Sequence, residues 1–133
     1  MKAFDVQGIE ILTSADEVFD FVADPGNLPR WAKAFSEVQD ERARLETPAG
    51  VVDIGLRTYP NRDARTVDWR LEFPNGSVAL AQSRATETTR GTAIYSFVLH
   101  APPVPLEELE GALAEQIDTL ARELHALKAL MEA

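Results

Sequence analysis

Hydrophobic and polar residues alternate along four segments of the chain. In the clearest segment, residues 67–73, the apolar side chains stand at every second position and are separated by charged or polar ones. Such alternation is typical of a β-strand with one buried face. The other three segments are centred on Ile54, Leu80 and Tyr95. The Pro-Asn-Gly sequence at 74–76 is a turn signal, so the pattern predicts antiparallel strands joined by tight turns.

Two further strands are predicted outside these segments. The first lies near the N-terminus and is marked by four apolar residues: Phe4, Val6, Ile9 and Ile11. Because the spacing of these residues shifts by one at Gly8, a β-bulge is predicted there. The second covers residues 36–45, whose many charges are typical of an edge strand protected against pairing with another chain.

A capped amphipathic helix is predicted between the first strand and Asp24. Ser14 and Glu17 have the spacing of a capping box, in which the serine oxygen accepts a helix N–H and the glutamate reaches back. The apolar face of this helix consists of Val18, Phe19, Phe21 and Val22. Pro25 disfavours helical backbone at Asp24 and ends the helix. A short second helix or turn is predicted over residues 28–35.

A long amphipathic helix is predicted from Pro105 to the end of the sequence. Proline suits the first helical turn, and the apolar positions that follow recur at helical spacing. These positions are Leu106, Leu109, Leu113, Ile117, Leu120, Leu124, Leu127 and Met131. The order of strand, two short helices, antiparallel strands and long helix predicts an α+β fold with all helices on one face of the sheet. Residues 1–133 are expected to form a single domain.

Net charge, cysteine content and hydropathy limit the kinds of partner and compartment that are expected for this protein. The net charge is −9 and no basic patch with interleaved aromatic residues occurs, so binding to nucleic acid is not expected. The chain has no cysteine, which excludes disulfides and thiolate sites and is compatible with the cytosol. No apolar stretch approaches the roughly 20 residues of a membrane span, and the N-terminus lacks the apolar run of a signal peptide. A cytoplasmic protein without integral membrane association is therefore expected.

The segment IEILTSADEVFDFVADPGNLPRW resembles the N-terminal signature of the START-like or SRPBCC superfamily, especially its bacterial polyketide cyclase/dehydrase-like and lipid-transport-like members. The matching pieces are the first strand, Ser14-Ala15, Val18-Phe19, Asp24-Pro25, Asn27-Leu28-Pro29 and Trp31. The RLEFPNGSV hairpin and the terminal helix agree, so the resemblance covers nearly the whole chain. It implies a helix-grip fold, in which a curved antiparallel sheet grips the C-terminal helix and leaves an apolar cavity. It also implies binding of lipids, polyketides, sterols or hormones, with cyclisation or dehydration in some members.

The predicted wall of such a cavity is largely aromatic. Trp69, Tyr95 and Phe97 lie on the apolar side of the strand alternation, so they are core residues that also face the gripped helix. Trp31 is interpreted either as part of a gate over the cavity, as the resemblance implies, or as packing against the first helix. A buried Tyr95 hydroxyl needs a hydrogen-bond partner, and a ligand carbonyl would supply one. The wall residues predicted on the terminal helix are Leu113, Ile117 and Leu120.

The strand that contains Leu80 is predicted to supply polar groups for the same wall. Gln82 and Arg84 lie on the same side of this strand as Leu80. If this side faces inward, Gln82 and Arg84 would orient a ligand in an otherwise apolar wall. Arg84 would then pair with a carboxylate or phenolate. The alternative is that Arg84 lies beyond the core and extends to water.

Tyr95 and His100 are the candidates for proton transfer. His100 is interpreted as a general base at the cavity mouth or as a polar residue that ends its strand. His125 is the second of the two histidines and lies beside the apolar stripe of the terminal helix. A metal site usually takes about three protein ligands, so these two separated residues predict no metal site. No Gly-rich phosphate loop, dinucleotide fingerprint or nucleophile elbow occurs, and no cofactor is expected.

The sequence leaves three functional hypotheses open. The first is binding of a small hydrophobic or aromatic ligand, lipid- or polyketide-like, between the sheet and the terminal helix. The second is a polyketide cyclase or dehydratase that orients its substrate in the cavity and transfers a proton. The third is a ligand-free module that forms a homodimer or docks a partner through the terminal helix, whose apolar stripe is widened by Ala121 and Leu130.

Overall fold

A seven-stranded antiparallel sheet with helices on one face forms the protein. The computed structural model describes residues 3–47, 50–101 and 106–133, without the side chains of 47 and 106–111. In chain order the elements are β1 (Phe4–Ile11), α1 (Ala15–Ala23), a 3-10 turn (Pro25–Asn27), α2 (Leu28–Trp31), β2 (Phe35–Gln39), β3 (Arg42–Thr47), β4 (Gly50–Asn61), β5 (Thr66–Glu72), β6 (Val78–Glu87), β7 (Ala93–His100) and α3 (Leu106–Glu132). The strand order across the sheet is β1-β7-β6-β5-β4-β3-β2. The predicted α+β class and helix-grip arrangement are confirmed.

The three helices share the inner face of the sheet. α1 contacts β4, β5, β6 and β7, whereas α3 contacts β1 and α2. Buried residues of all three helices and of the inward-facing strand positions form one hydrophobic core. Among the described residues, no helix is long and apolar enough to cross a membrane.

The start of α1 confirms half of the predicted capping box. The Ser14 hydroxyl oxygen accepts a hydrogen bond from the N–H of Glu17 at 3.2 Å. The Glu17 carboxylate accepts from the Thr13 hydroxyl, so the predicted return of this side chain to the Ser14 backbone is wrong. At the other end, the Asp24 carboxylate accepts from the Gly26 N–H at 3.0 Å and opens the 3-10 turn after α1.

The predicted bulge at Gly8 is absent, because β1 pairs residue for residue with β7. Phe4 and Val6 therefore face outward and are 52% and 56% exposed, while Gln7 faces inward. The Gln7 amide donates to the Ile117 backbone carbonyl of α3 at 3.0 Å and to the Asp5 carboxylate at 2.9 Å. Polar side chains thus take the inner face of β1 where it meets the backbone of α3.

The charged segment 36–45 forms a hairpin of two strands, β2 and β3, and β2 is an edge of the sheet. The edge position that its charges predicted is confirmed. The segment is split by a turn in which Asp40 adopts a φ of 57°, a left-handed conformation that aspartate tolerates better than most residues.

The inward orientation considered for Leu80, Gln82 and Arg84 on β6 is wrong. The inner face of β6 carries small residues. The pairing register of β6 with β5 and β7 places each of them beside a large aromatic residue. Ala81 pairs with Trp69 of β5, Ser83 pairs with Phe97 of β7, and Ala85 pairs with Tyr95 of β7. Since α1 also contacts β6, large side chains at these positions would collide with the neighbouring rings.

The apolar stripe of α3 enters the core through its C-terminal half. Leu120, Leu124 and Leu127 belong to the core cluster. Leu113 is buried and Ile117 is half-buried, but neither belongs to that cluster. Pro105 and the side chains of Leu106 and Leu109 lie outside the described residues.

Candidate functional site

Four aromatic side chains from three elements meet in the interior. Trp31, at the end of α2, contacts Tyr95 of β7 edge-on with ring centroids 6.1 Å apart. Tyr95 lies 6.5 Å from Phe97, and Phe97 stacks on Trp69 of β5 at 5.8 Å. We call Trp31, Tyr95, Phe97 and Trp69 the aromatic cluster. All four side chains are buried, so the inward orientation predicted for Trp69, Tyr95 and Phe97 is confirmed.

Three polar atoms of the aromatic cluster are buried without a hydrogen-bond partner among the described residues. They are Nε1 of Trp31, Nε1 of Trp69 and the hydroxyl oxygen of Tyr95. Most buried polar atoms in proteins do have a partner, and leaving one unpaired costs about 1–3 kcal/mol. An indole N–H can only donate, whereas a phenol can donate and accept. The aromatic cluster therefore holds unused donors in an apolar setting, as the few polar anchors of a ligand site do.

Tyr95 is held in its neutral form. Burial raises the pKa of its phenol because a phenolate is not solvated there, and the charge of Glu123 acts in the same direction. The neighbouring Ser83 hydroxyl opposes this rise in pKa, but it donates its proton to the Val67 carbonyl at 2.7 Å. The Tyr95 hydroxyl makes no hydrogen bond of acceptable geometry among the described residues.

Glu123, a half-buried residue of α3, carries a charge that acts on the Tyr95 phenol. Burial raises the pKa of Glu123 to about 7, against the opposing effects of the Ala34 N–H, the Arg122 charge and the Lys33 N–H. Lys33 and Ala34 belong to the loop between α2 and β2. Glu123 therefore joins this loop to α3 and changes its charge near neutral pH.

Sequence reasoning missed Glu123. It lies three residues after Leu120 and four residues before Leu127, both of which are buried. Helical spacing therefore places the carboxyl group on the apolar face of α3. An acidic residue at such a position is the signal that could have identified it, because carboxylates are rarely buried without a reason.

Leu80, Gln82 and Arg84 do not join the aromatic cluster. All three are exposed on the outer face of the sheet. Gln82 hydrogen-bonds there to His100, with 2.6 Å between Oε1 and Nε2. His100 is exposed as well, so the structure separates it from Tyr95, the other candidate for proton transfer. His125 is also exposed, and no group of three or more His, Cys, Asp or Glu side chains within the described ranges could hold a metal ion.

The pockets identified among the described residues lie away from Trp31 and Tyr95. One of about 290 Å³ borders Trp69 of the aromatic cluster. Its lining residues are Tyr59, Asp68, Trp69, Arg70, Leu80, Ala81 and Gln82. Another of about 330 Å³ is bordered by residues of β2, β3 and β4. The apolar cavity that the resemblance implies stays a prediction.

Comparison with known proteins identifies the type of fold. No protein-family model and no curated protein matches the chain. Solved structures do match over nearly its whole length. The protein XoxI from Bacillus cereus is 19% identical, with a TM-score of 0.72 over 98% of this chain and 96% of that one. A START superfamily protein from Mycobacterium smegmatis is 16% identical, with a TM-score of 0.68 over 98% of each chain.

The Zhui aromatase/cyclase from a Streptomyces species is also similar in structure. It is 13% identical, with a TM-score of 0.74 over 97% of this chain and 93% of that one. Identities this low establish the fold and not the activity. On the evidence of its sheet order, its helices and these structural matches, the chain has the START-like helix-grip fold.

Proposed function

We propose that this protein binds a small, largely apolar ligand, aromatic or lipid-like, between the sheet and α3. The observation that carries the proposal is the set of three buried donors without partners in the aromatic cluster. Each unpaired donor costs about 1–3 kcal/mol. A ligand that brings an acceptor to this cluster would remove that cost while its apolar frame replaces water.

The fold supports the same proposal by analogy. An aromatase/cyclase and a START superfamily protein share the sheet and the helix arrangement. The proposed ligand lies against Trp69, Tyr95 and Phe97 on the sheet side. On the side of α3 it lies along the stripe that contains Leu113, Ile117 and Leu120.

Trp31 is the proposed gate of this site. It lies on α2, which has only four residues and is followed directly by the loop that Glu123 joins to α3. A ligand that reaches Tyr95 from this side must displace the Trp31 ring, because that ring contacts Tyr95 edge-on. A helix of only four residues can move at lower cost than a strand in the middle of the sheet.

Native mass spectrometry of protein purified gently from its expression host tests the proposal. A reproducible adduct that disappears on denaturation supports it and gives the ligand's mass. Titration with Nile red, an uncharged solvatochromic dye, is the second measurement, and saturation at one site per chain is expected. Ala85→Leu, which fills the inner face beside Tyr95, should abolish dye binding, and Leu80→Ala on the outer face should not. A protein with neither adduct nor saturable dye binding would contradict the proposal.

A second candidate function is proton transfer to or from such a ligand, as in a polyketide cyclase or dehydratase. It is favoured by the carboxyl group of Glu123, whose charge acts on the Tyr95 phenol and whose pKa is raised by burial to about 7. A pKa close to the working pH suits a general base. In this mechanism the Glu123 carboxylate removes a proton from the carbon beside a carbonyl group. The Tyr95 hydroxyl donates a hydrogen bond to the enolate oxygen that forms.

Hydrogen–deuterium exchange at the α-carbon of β-tetralone, followed by proton NMR in deuterium oxide, tests this candidate. Wild-type protein should accelerate the exchange, and Glu123→Gln should lower the acceleration by about tenfold or more. His100→Ala is the control, because His100 lies on the outer face and should not matter. Exchange at the uncatalysed rate would leave binding as the function.

A further inference from the structure

The outer face of the sheet carries large apolar side chains where a polar surface is expected. An antiparallel sheet that is covered on one face usually places polar residues on the other. Here the three neighbouring strands β1, β7 and β6 expose large apolar residues on the uncovered face. They are Phe4, Val6, Val78, Leu80 and Ile94. Exposed apolar patches of this kind mark interaction surfaces.

The strand register aligns ten outer-face residues in two adjacent rows across five neighbouring strands. From β1 to β4, the first row consists of Val6, Val98, Gln82, Asp68 and Tyr59. The second row lies two residues away on each strand and consists of Phe4, His100, Leu80, Arg70 and Arg57. We call these ten residues the outer-face block. Since strands are about 4.8 Å apart, the block is roughly 20 Å wide.

The outer-face block lacks the negative excess of the whole chain. The net charge of the chain is −9, whereas the block contains one carboxylate, Asp68, and two guanidinium groups, those of Arg57 and Arg70. Asp68 is half-buried, and its carboxylate forms no ion pair within the part of the chain that the structure describes. Acidic surfaces of two copies repel each other, so the block is a place where a second copy can approach without that repulsion.

The two rows complement each other when two copies pack face to face. A two-fold axis parallel to the sheet and perpendicular to the strands, between the rows, places each row of one copy opposite the other row of the second. Arg70 of one copy then lies opposite Asp68 of the other, twice by symmetry, and Phe4 lies opposite Val6. Arg70 already pairs with Glu72 at 3.1 Å, but its guanidinium has five N–H donors and can serve a second carboxylate.

This axis fits the outer-face block better than the alternative two-fold axis. On β4 it places Arg57 opposite Tyr59, a cation over an aromatic ring. Packed sheets cross at about 30°, so pairs near the centre of the block, such as those on β5, stay most nearly opposite. An axis parallel to the strands and centred on β6 would instead place Asp68 opposite Val98 and leave its carboxylate without a cation.

We propose that the outer-face block is the interface of a symmetric homodimer in which two sheets pack face to face. The interface lies on the sheet and not on the terminal helix, because Leu130 is the exposed large apolar residue on the part of α3 whose side chains are described. The inference is independent of the proposed ligand site, since the block lies on the face of the sheet opposite the aromatic cluster.

Sedimentation equilibrium of the wild-type protein over a dilution series is the first measurement. The average mass should rise with concentration from that of one chain toward that of two. Val6→Asp places an unpaired carboxylate in the apolar part of the interface and should weaken dimerisation by at least about tenfold. Because Val6 is 56% exposed, the fold should be retained, which circular dichroism verifies.

A charge swap tests the pairing of Asp68 with Arg70. Asp68→Arg alone and Arg70→Asp alone should each weaken dimerisation by at least about tenfold, because like charges then face each other twice across the interface. The double variant Asp68→Arg/Arg70→Asp restores opposite charges and should dimerise within about threefold of wild type. Glu115→Arg is the matched control, because Glu115 is exposed on α3 and its replacement changes the net charge as Asp68→Arg does. It should leave dimerisation unchanged.

Each contrary outcome overturns a defined part of the inference. The mass of one chain at every concentration up to about 0.5 mM, where even a weak dimer forms, would overturn the dimer. A wild-type dimer that Val6→Asp does not weaken would place the interface elsewhere. An equal loss in Glu115→Arg, or no recovery in the double variant, would overturn the pairing of Asp68 with Arg70. None of these results depends on ligand binding, so the proposed function is tested separately.

Discussion

The indole ring of Trp31 meets the phenol ring of Tyr95 edge-on, with the ring planes at 87° and the centroids 6.1 Å apart. The polar atom of each ring is buried and has no hydrogen-bond partner among the described residues. The contact joins the short helix α2 to the middle of strand β7. It brings two unused polar groups together between α2 and the sheet.

Removing the Tyr95 hydroxyl should stabilise the protein without ligand. In Tyr95→Phe the ring and its contacts with Trp31 and Phe97 remain, while an unpaired buried hydroxyl is lost. The free energy of unfolding should rise by about 1 kcal/mol, measured by urea denaturation. The same variant should bind Nile red or methyl naphthoate less tightly. A destabilised Tyr95→Phe protein would show that the hydroxyl has a partner in solution and would remove the basis of the proposed site.

Two substitutions of Trp31 compare how much an aromatic ring at this position contributes to the stability of the protein. Trp31→Phe keeps an aromatic ring at this position and should change stability by less than about 1.5 kcal/mol, whereas Trp31→Ala should cost about 3–5 kcal/mol because it leaves a cavity in the core. Urea denaturation measures both values. Equal losses in the two variants would mean that the size and shape of the indole, rather than the presence of an aromatic ring, determine stability.

The stability of the protein should depend on the ionisation of Glu123. Its pKa is raised in the folded protein to about 7, so the folded state favours the neutral carboxyl group. This contribution is fully present below the ordinary glutamate pKa and is lost as the pH rises from about 4.5 to about 7. The expected size of the loss is about 3 kcal/mol.

The measurement is the difference in unfolding free energy between Glu123→Gln and wild type across that pH range. The difference cancels the opposite trend of Glu10 and Glu132, whose pKa values are lowered chiefly by side-chain hydrogen bonds from Thr92 and Lys128 respectively. The variant should gain stability relative to wild type as the pH rises and then reach a plateau above about pH 7. A difference that does not change with pH would show that Glu123 is solvated.

Substitutions on the two faces of β6 should have opposite consequences. Ala85 is 2% exposed and pairs with Tyr95, so Ala85→Leu should cost about 1–3 kcal/mol by overpacking. Leu80 is 47% exposed on the outer face, so Leu80→Ala should change the unfolding free energy by less than about 1 kcal/mol. Thermal unfolding of the two variants compares them directly. A larger loss in Leu80→Ala would reverse the assignment of the faces.

Substitution of the outer-face polar residues should leave the interior site unchanged. Gln82 contacts His100, and Arg84 is exposed to solvent. Gln82→Ala and Arg84→Ala should therefore bind Nile red and methyl naphthoate within about twofold of wild type. Phe97→Ala, which removes a ring of the aromatic cluster, is the positive control and should weaken binding. A strong loss in Arg84→Ala would indicate a ligand site on the outer face.

Local patterns in the sequence predicted most of the elements because each depends on neighbouring residues alone. The alternation over 67–73 placed Trp69 inward, and the same rule placed Tyr95 and Phe97 inward on β7. The predicted N-cap of α1 at Ser14 is confirmed, because the Ser14 hydroxyl oxygen accepts from the N–H of Glu17. The apolar stripe of α3 identified Leu120 as a core residue. These predictions needed no knowledge of what lay across the interior.

The sequence failed where the choice depended on a neighbour from elsewhere in the chain. On β6 larger residues alternate with small ones, and the sequence alone left open whether the side of Leu80, Gln82 and Arg84 faces inward. The rings of Trp69 and Tyr95 on the adjacent strands leave room only for Ala81 and Ala85. Likewise, the inward position of Gln7 depends on a carbonyl of α3, 110 residues away in the chain.

The sequence by itself determined the order of strands and helices, the α+β class and the resemblance to the START-like fold, because hydrophobic period, caps and turns are local properties. Only the tertiary structure decided which side of β6 is buried, which donors lack partners and that the charge of Glu123 acts on Tyr95. Each of these depends on the distance and solvation between residues far apart in sequence, and both are set by how the sheet, α2 and α3 pack together.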